Sequence, residues 1–408
     1  MPKHSSTWPV FWPVAVATAL SLLGDTAMYT VLPTHNDQAG VAVASIGILL
    51  SANRWVRFAS NGGVGWLAER WPRRWLFVPA LFLGVLSTAL YALTRGFWFL
   101  LVARLLWGVA WSGIWVVGNA IILDAAAEHQ RGRWVGFYHT SFFMGGMIGA
   151  PLGGILTDAV GYGGAMGILA LFMFGGAVCA LLFLPETRPH PIPTNPITPA
   201  ELPPATPIPD EKAPAWRPLL TTMGLLLTNR LLVSGFLLAT FGRLLAERWG
   251  ETMQIGAWEM GIATATGLGL GLTTIMSMIS SSVAGGVSDR LGSRWRTAAG
   301  GLLLMAAGFL ALSQATSVWF IVLGFPLISL GSGSLQSLST VLMGDLVHGR
   351  QRGRYLGIFY TVGDAASALG PLLAYAILAS GAGFGWLYGF ACGLALLMFL
   401  GVSLRQGG

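Results

Sequence analysis

Long apolar runs alternate with short polar punctuation along the whole chain, and the runs lack the two-residue alternation of a half-buried strand. A hydrocarbon core about 30 Å thick takes about 20 helical residues to cross, and runs of that length recur throughout. Cutting them at charges, glycines and prolines predicts helices over 10–33, 43–68, 75–94, 98–124, 134–158, 165–184, 218–246, 259–288, 297–315, 318–345, 355–379 and 387–404. The expected fold class is an all-α membrane protein of twelve transmembrane helices. Lys3 ahead of the first run looks like the start of a signal peptide. That run, however, continues to Pro33 and contains Asp25, so it reads as a retained helix.

Between Pro185 and Arg217 the pattern breaks. Pro, Thr, Glu and Asp take over, as in Pro189-His190-Pro191-Ile192-Pro193, and no periodicity is left for a packed core. The segment reads as an extended cytoplasmic linker over 185–217, between six-helix bundles over 1–184 and 218–408. The bundles are related. Gln130-Arg131-Gly132-Arg133 returns as Gln351-Arg352-Gly353-Arg354 after 221 residues, Asp124 as Asp345 at the same interval, and Pro151 as Pro371 after 220. Parallel repeats with a substrate site between them near the midplane are one architecture for alternating access.

Composition sharpens this picture. Of 408 residues, 54% are hydrophobic and 10% charged; soluble domains carry about 25% charged residues, so the lipid bilayer is the expected solvent. The net charge of +7 sits in short clusters between apolar runs rather than along one face, which argues against nucleic acid. Alternate loops hold Arg70, Arg73 and Arg74; Arg131 and Arg133; Arg290, Arg294 and Arg296; Arg350, Arg352 and Arg354. The opposite loops offer mainly Arg95 and Arg248, with Arg243 near a helix end. That asymmetry predicts both termini in the cytoplasm, and a bacterial inner membrane is the expected location.

Catalysis finds no foothold. There is no H-E-x-x-H, G-x-S-x-G or P-loop, and Gly267-Leu268-Gly269-Leu270-Gly271 follows no predicted strand. Cys179 and Cys392 each lie inside an apolar run, where a thiol behaves as a small hydrophobe. No metal site and no cofactor are expected, and the chain is expected to act as a monomer.

The loop after the second predicted helix reads Gly65-Trp66-Leu67-Ala68-Glu69-Arg70-Trp71-Pro72-Arg73-Arg74. Its mate after the eighth reads Gly285-Gly286-Val287-Ser288-Asp289-Arg290-Leu291-Gly292-Ser293-Arg294. Both resemble motif A of the major facilitator superfamily, G-x-L-a-D-r-x-G-r-[kr], with Glu69 and Pro72 as departures in the first copy. The resemblance implies a conformational latch at Gly65, Glu69, Arg70 and Arg74, with Asp289, Arg290 and Arg294 in the second half. Arg104-Leu105-Leu106-Trp107-Gly108 is similar to motif B, whose embedded arginine is associated with proton transfer in proton-coupled members. Gly145 to Gly154 looks like the exporter-associated motif C, with Ala150 where glycine precedes the proline. Gly149, Pro151 and Gly154 are also expected to serve close helix packing, as is Pro371 after Gly370.

A charge near the bilayer centre costs roughly 2.5–3.5 kcal/mol, so embedded charges face a cavity or a partner. Asp25 and Arg104 fall within about one turn in depth and are expected to pair, with Tyr29 one turn from Asp25 and able to bond to it. Asn53, Arg57 and Asn61 form a stripe at intervals of four, with Arg54 on its edge. Asn229, Arg230, Gln336 and Asp364 add polar positions in the second half, and His139 lies toward the cytoplasmic end of the fifth helix. If these share one cavity, its arginines outnumber its acids. The expected function is then a secondary active transporter coupled to protons, exporting a small organic anion, zwitterion or amphiphile. A lipophilic multidrug exporter and a non-transporting receptor or lipid scramblase on the same fold stand as alternatives.

Overall fold

The computed structural model describes residues 7–187, 215–255, 258–347 and 352–404. Lys3, the Pro189 to Pro193 run, Arg350 and Gln351 lie outside them, as does most of the expected linker. The first four long helices are α1 (Trp8–Thr34), α2 (Val43–Arg70), α3 (Arg74–Leu93) and α4 (Phe97–Ala125). A continuous stretch, Arg131–Phe183, is broken at Gly161 into α5 (131–160) and α6 (162–183). The second half holds α7 (Trp216–Trp249), α8 (Ile262–Leu291), α9 (Arg294–Ser313), α10 (Val318–Leu346), α11 (Arg352–Ala379) and α12 (Gly383–Ser403).

Ten of these stretches, counting Arg131–Phe183 once, are apolar and long enough to span a bilayer. Gly161 makes two of one: its φ of 76° and ψ of 171° are open essentially to glycine alone. The Tyr162 amide beyond the break donates to Gln38 Oε1 at 3.0 Å, so the first turn of α6 is capped from the loop after α1. The twelfth span is α2, with 28 residues but with Arg54, Arg57, Glu69 and Arg70 among them. Two features depart from the sequence expectation. The eighth helix starts at Ile262 and not at 259, because Thr252–Ile255 (β1) and Trp258–Gly261 (β2) form an antiparallel hairpin ahead of it. Inside α4 and α7 the helix widens to π-geometry at Gly113–Val117 and Arg230–Leu237.

Glycines let the helices approach. Gly145, Gly149 and Gly153, spaced by four, face Ala19, Leu23 and Ala27 of α1, where a β-carbon would meet backbone or side chain. The neighbouring Gly154 faces another way, onto Ala263 of α8, and Pro151 packs on Gly267. On the far side of the molecule Gly47 of α2 takes the same part: a β-carbon there would lie 2.6 Å from the Pro371 carbonyl oxygen of α11. Gly47 and Gly267 stand 220 residues apart, the interval of the prolines they face. The two halves therefore meet along two equivalent seams, α2 with α11 and α5 with α8.

These contacts lie toward the end of the bundle opposite the arginine-rich loops. At the arginine-rich end Gly65 of α2, Gly136 of α5, Gly285 of α8 and Gly357 of α11 all face open space. All four seam helices thus diverge there, leaving a cavity that opens toward the arginine-rich end and is closed at the opposite one.

Candidate functional site

The innermost group is an ion pair. Arg104 of α4, fully buried, brings Nη1 to 2.5 Å from Asp25 Oδ1 of α1, as the equal depths predict. Two further donors go to α2: Nε donates to the Leu49 carbonyl at 2.9 Å and Nη2 to Leu50 at 3.4 Å. Asn53 Nδ2 donates to the same Asp25 oxygen at 3.4 Å. The buried guanidinium is thus compensated by one carboxylate and two carbonyls, as burial of a charge requires. Tyr29 does not bond to Asp25 as expected. Its hydroxyl donates to the Leu50 carbonyl at 3.4 Å, and its ring lies 5.5 Å from the Arg54 guanidinium carbon and 5.7 Å from that of Arg104.

A second group straddles the α2–α11 seam. Arg57 Nη2 lies 3.5 Å from Asp364 Oδ2, and the Asp364 side chain keeps 47% of its surface open. Arg57 Nε is buried without a hydrogen-bond partner, as are Asn53 Oδ1 and Asn229 Oδ1. Arg230, at the start of the π-segment of α7, runs beside Gly363 and has Asp364, Arg54 and Arg57 as its charged surroundings. Arg54 crosses the same seam and donates to backbone carbonyls, to Ser367 of α11 at 2.6 Å and Ser234 of α7 at 3.4 Å. Taken with the Arg104–Asp25 pair, four guanidiniums stand against two carboxylates, leaving an excess of positive charge when both acids are ionised. Gln336, on α10, makes no side-chain hydrogen bond or ion pair with this group, and His139 stacks on Trp115 with ring centroids 5.0 Å apart.

The expected latch residues divide. Arg294 pairs with Asp345, and the corresponding pair in the first half is made by Arg73 with Asp124 at 3.1 Å, not by Arg74. Arg74 Nη2 turns to the Leu181 carbonyl at 2.5 Å, and its amide donates to Glu186 at 3.1 Å. Glu69 lies 3.8 Å from Arg70, which also covers the Trp66 ring at 4.1 Å. Asp289 and Arg290 are exposed at the end of α8. At the end opposite the arginine-rich loops a contact that nothing local in the sequence marks joins the halves: Asp158 Oδ2, from the end of α5, accepts the Thr264 amide in the first turn of α8 at 2.7 Å. Arg243 Nη1 of α7 reaches Asn36 Oδ1 beyond α1 at 3.4 Å. His35, beside them, has its pKa lowered by burial against the upward pull of Asp158 and Glu251. Among the described residues no cluster of His, Cys, Asp or Glu is arranged to hold a metal ion.

Two helical halves with a charged cavity between them define a class: multi-pass membrane proteins built from repeated bundles. Within it the chain belongs to the Major Facilitator Superfamily, whose family model matches residues 14–257 and again 245–405. Among its relatives, the synaptic vesicular amine transporter of Bos taurus is 24% identical over 351 residues, covering 84% of this chain. The chain spans 62% of that relative's length. The class C tetracycline resistance protein of Escherichia coli is 25% identical over 383 residues, covering 88% of this chain and 87% of its own. In fold the chain is similar to a bacterial homolog of the human lysosomal transporter Spinster, in its inward-facing and unoccupied conformation. The TM-score is 0.73 at 14% identity, with 99% of this chain and 96% of that one covered.

Proposed function

We propose that the protein is a secondary active transporter that exports a small zwitterion, organic anion or amphiphile by alternating access, coupled to protons. The observation that carries this reading is the Arg57–Asp364 pair, which crosses between the halves with its carboxylate half open to the cavity and Arg230 close by. A cargo anion gains forked, charge-assisted hydrogen bonds from the guanidiniums, and a cargo ammonium gains Asp364. Either group competes with the pair that ties α2 to α11, so cargo binding and seam strength are linked. Family membership and relatives named for amine transport and tetracycline resistance support small organic cargo. A second reading, an organic amine alone, draws on the amine-transporter names and the open carboxylate of Asp364.

Asp25 supplies the proposed proton step. It is ionised while Arg104 holds it, and takes up a proton in the state where that contact is broken, the buried arginine then relying on the Leu49 and Leu50 carbonyls. The proposal places both termini and the arginine-rich, open end in the cytoplasm of a bacterial cell, with bundles over 1–184 and 218–408 joined by the linker, acting as a monomer.

The test is proton flux in proteoliposomes carrying an internal pH dye, with pools of anions, zwitterions and amines applied to wild type and to Asp25→Asn. A response in wild type that is lost in the variant, with cargo binding retained, supports coupled transport and names the cargo class. Cargo-dependent flux that persists undiminished in Asp25→Asn removes Asp25 from the coupling.

A further inference from the structure

A proline inside a helix has no amide hydrogen, so the carbonyl four residues earlier loses its partner. Pro371 lies inside α11, and the carbonyl it orphans is that of Ser367, itself a buried residue. This oxygen does not go unmet: Arg54 Nη1 of α2 donates to it at 2.6 Å from the other half of the molecule. The same nitrogen lies 3.4 Å from the Ser234 carbonyl in the π-segment of α7, where the regular ladder is also interrupted. The Tyr29 ring of α1 packs against the guanidinium. One side chain thus joins α2 to α7 and α11 through backbone acceptors that irregular helix geometry supplies.

The other seam has the same proline and no such bond. Pro151 orphans the Met147 carbonyl, and Gly271 of α8 packs against that position, a β-carbon there lying 3.0 Å from the oxygen. The residue 220 positions after Arg54 is Thr274, whose hydroxyl donates inside its own helix to Leu270 at 3.2 Å. The two seams are therefore alike in backbone and unlike in bonding. Helix packing alone does not account for Arg54, since the α5–α8 seam closes without a counterpart.

We infer that Arg54 is a bolt between the halves rather than a cargo ligand: it holds the carbonyl freed by Pro371 while the outer end is closed, and must release it for that end to part. The inference rests on the alternating-access reading. It makes Arg54 a positioning residue, acting through α11 on the state of the cavity, and it assigns Pro371 the making of an acceptor. Pro371→Ala restores the amide, so Ser367 gains a partner within α11 that competes for its oxygen, and the hold of Arg54 is weakened without Arg54 being touched.

The experiment places spin labels at the outer end of each half, on Leu93→Cys and Thr316→Cys, with Cys179 and Cys392 changed to serine. Distance distributions are recorded on purified full-length protein in nanodiscs. Arg54→Gln and Pro371→Ala should each raise the long-distance, outer-open population about fivefold or more, and the double variant should add little to either single one. Arg54→Lys, with its charge but no fork, should fall between wild type and Arg54→Gln. Additive shifts, or an unchanged distribution in Pro371→Ala, would overturn the bolt. Gly47→Trp, which wedges the same seam directly, separates the two ideas. If it opens the outer end while Arg54→Gln and Pro371→Ala do not, the bolt alone fails; if even the wedge leaves one distribution, alternating access fails and takes the bolt with it.

Discussion

Arg73 and Asp124 meet at 3.1 Å at the arginine-rich end of the first half, and 221 residues later Arg294 and Asp345 meet in the same way. Each pair ties the start of one helix to the end of the next within the same half, so the repeat extends to its ion pairs. The first pair is partly buried, with side chains 16% and 19% exposed, and the second is more than twice as open, at 39% and 48%. Removing one partner should therefore cost more in the first half: about 1–3 kcal/mol for Asp124→Asn, against about 1 kcal/mol or less for Asp345→Asn, where solvent screens the pair. Thermal unfolding in detergent, with Arg73→Gln closing a double-mutant cycle, measures both. Equal losses would show that burial does not set their worth.

Asp25 and Arg104 should behave as a unit. Neutralising one leaves the other buried and uncompensated, so Asp25→Asn and Arg104→Gln should each lower the melting temperature, and the double variant should recover part of the loss. A coupling energy of about 0.5–3 kcal/mol is expected from the cycle. A coupling near zero would mean that the Leu49 and Leu50 carbonyls and Asn53 satisfy these charges without each other.

The cap that Asp158 places on α8 should matter in particular to the end opposite the arginine-rich loops. Asp158→Ala removes the acceptor for the Thr264 amide, and Gly261→Ala puts a methyl group where the carboxylate now packs. Both should speed hydrogen exchange at the start of α8, by the factor of roughly 5 that corresponds to about 1 kcal/mol of capping, and leave exchange in α3 and α9 unchanged. Uniform change throughout the molecule would point to general destabilisation instead.

His35 gives the end opposite the arginine-rich loops a pH dependence whose sign follows from its surroundings. Burial holds its folded pKa below the ordinary 6.5, while Asp158 and Glu251 pull it upward and the Thr34 hydroxyl lies 2.9 Å from Nδ1. Between the two values the unfolded chain binds more protons, so its contribution to stability is full above pH 6.5 and falls as pH drops toward the lowered folded value. His35→Gln should flatten the slope of melting temperature against pH below about 6.5. An identical slope in the variant would assign the dependence to other groups.

Much of the frame is legible in the chain itself, because the bilayer demands long apolar helices and the duplicated Gln-Arg-Gly-Arg segment displays the repeat directly. Eleven of the twelve expected helices overlap the ten apolar stretches, two of them sharing Arg131–Phe183, and Asp25 finds Arg104 because depth in a membrane is a one-dimensional quantity that residue counting can supply. What escapes is whatever depends on azimuth or on the partner half. Tyr29 is one turn from Asp25 yet bonds across to Leu50; Arg73, not its neighbour, turns toward Asp124; Asp158 has nothing local to mark it as a cap for α8. The hairpin before α8 escapes for another reason: two strands of four residues are too short for a periodic pattern to rise above the apolar run that follows.

Gly161 decides more than the end of one helix. Without its single left-handed dihedral, the 53 residues of Arg131–Phe183 would form a straight rod of about 80 Å, more than twice the thickness of the hydrocarbon they must cross. Two passages through the membrane would become one, and everything after α6 would be delivered to the opposite face. The second repeat would then be inverted against the first, the α2–α11 and α5–α8 seams would have no partners, and no shared cavity would exist. The handedness of one residue thus carries the parity on which the whole architecture depends.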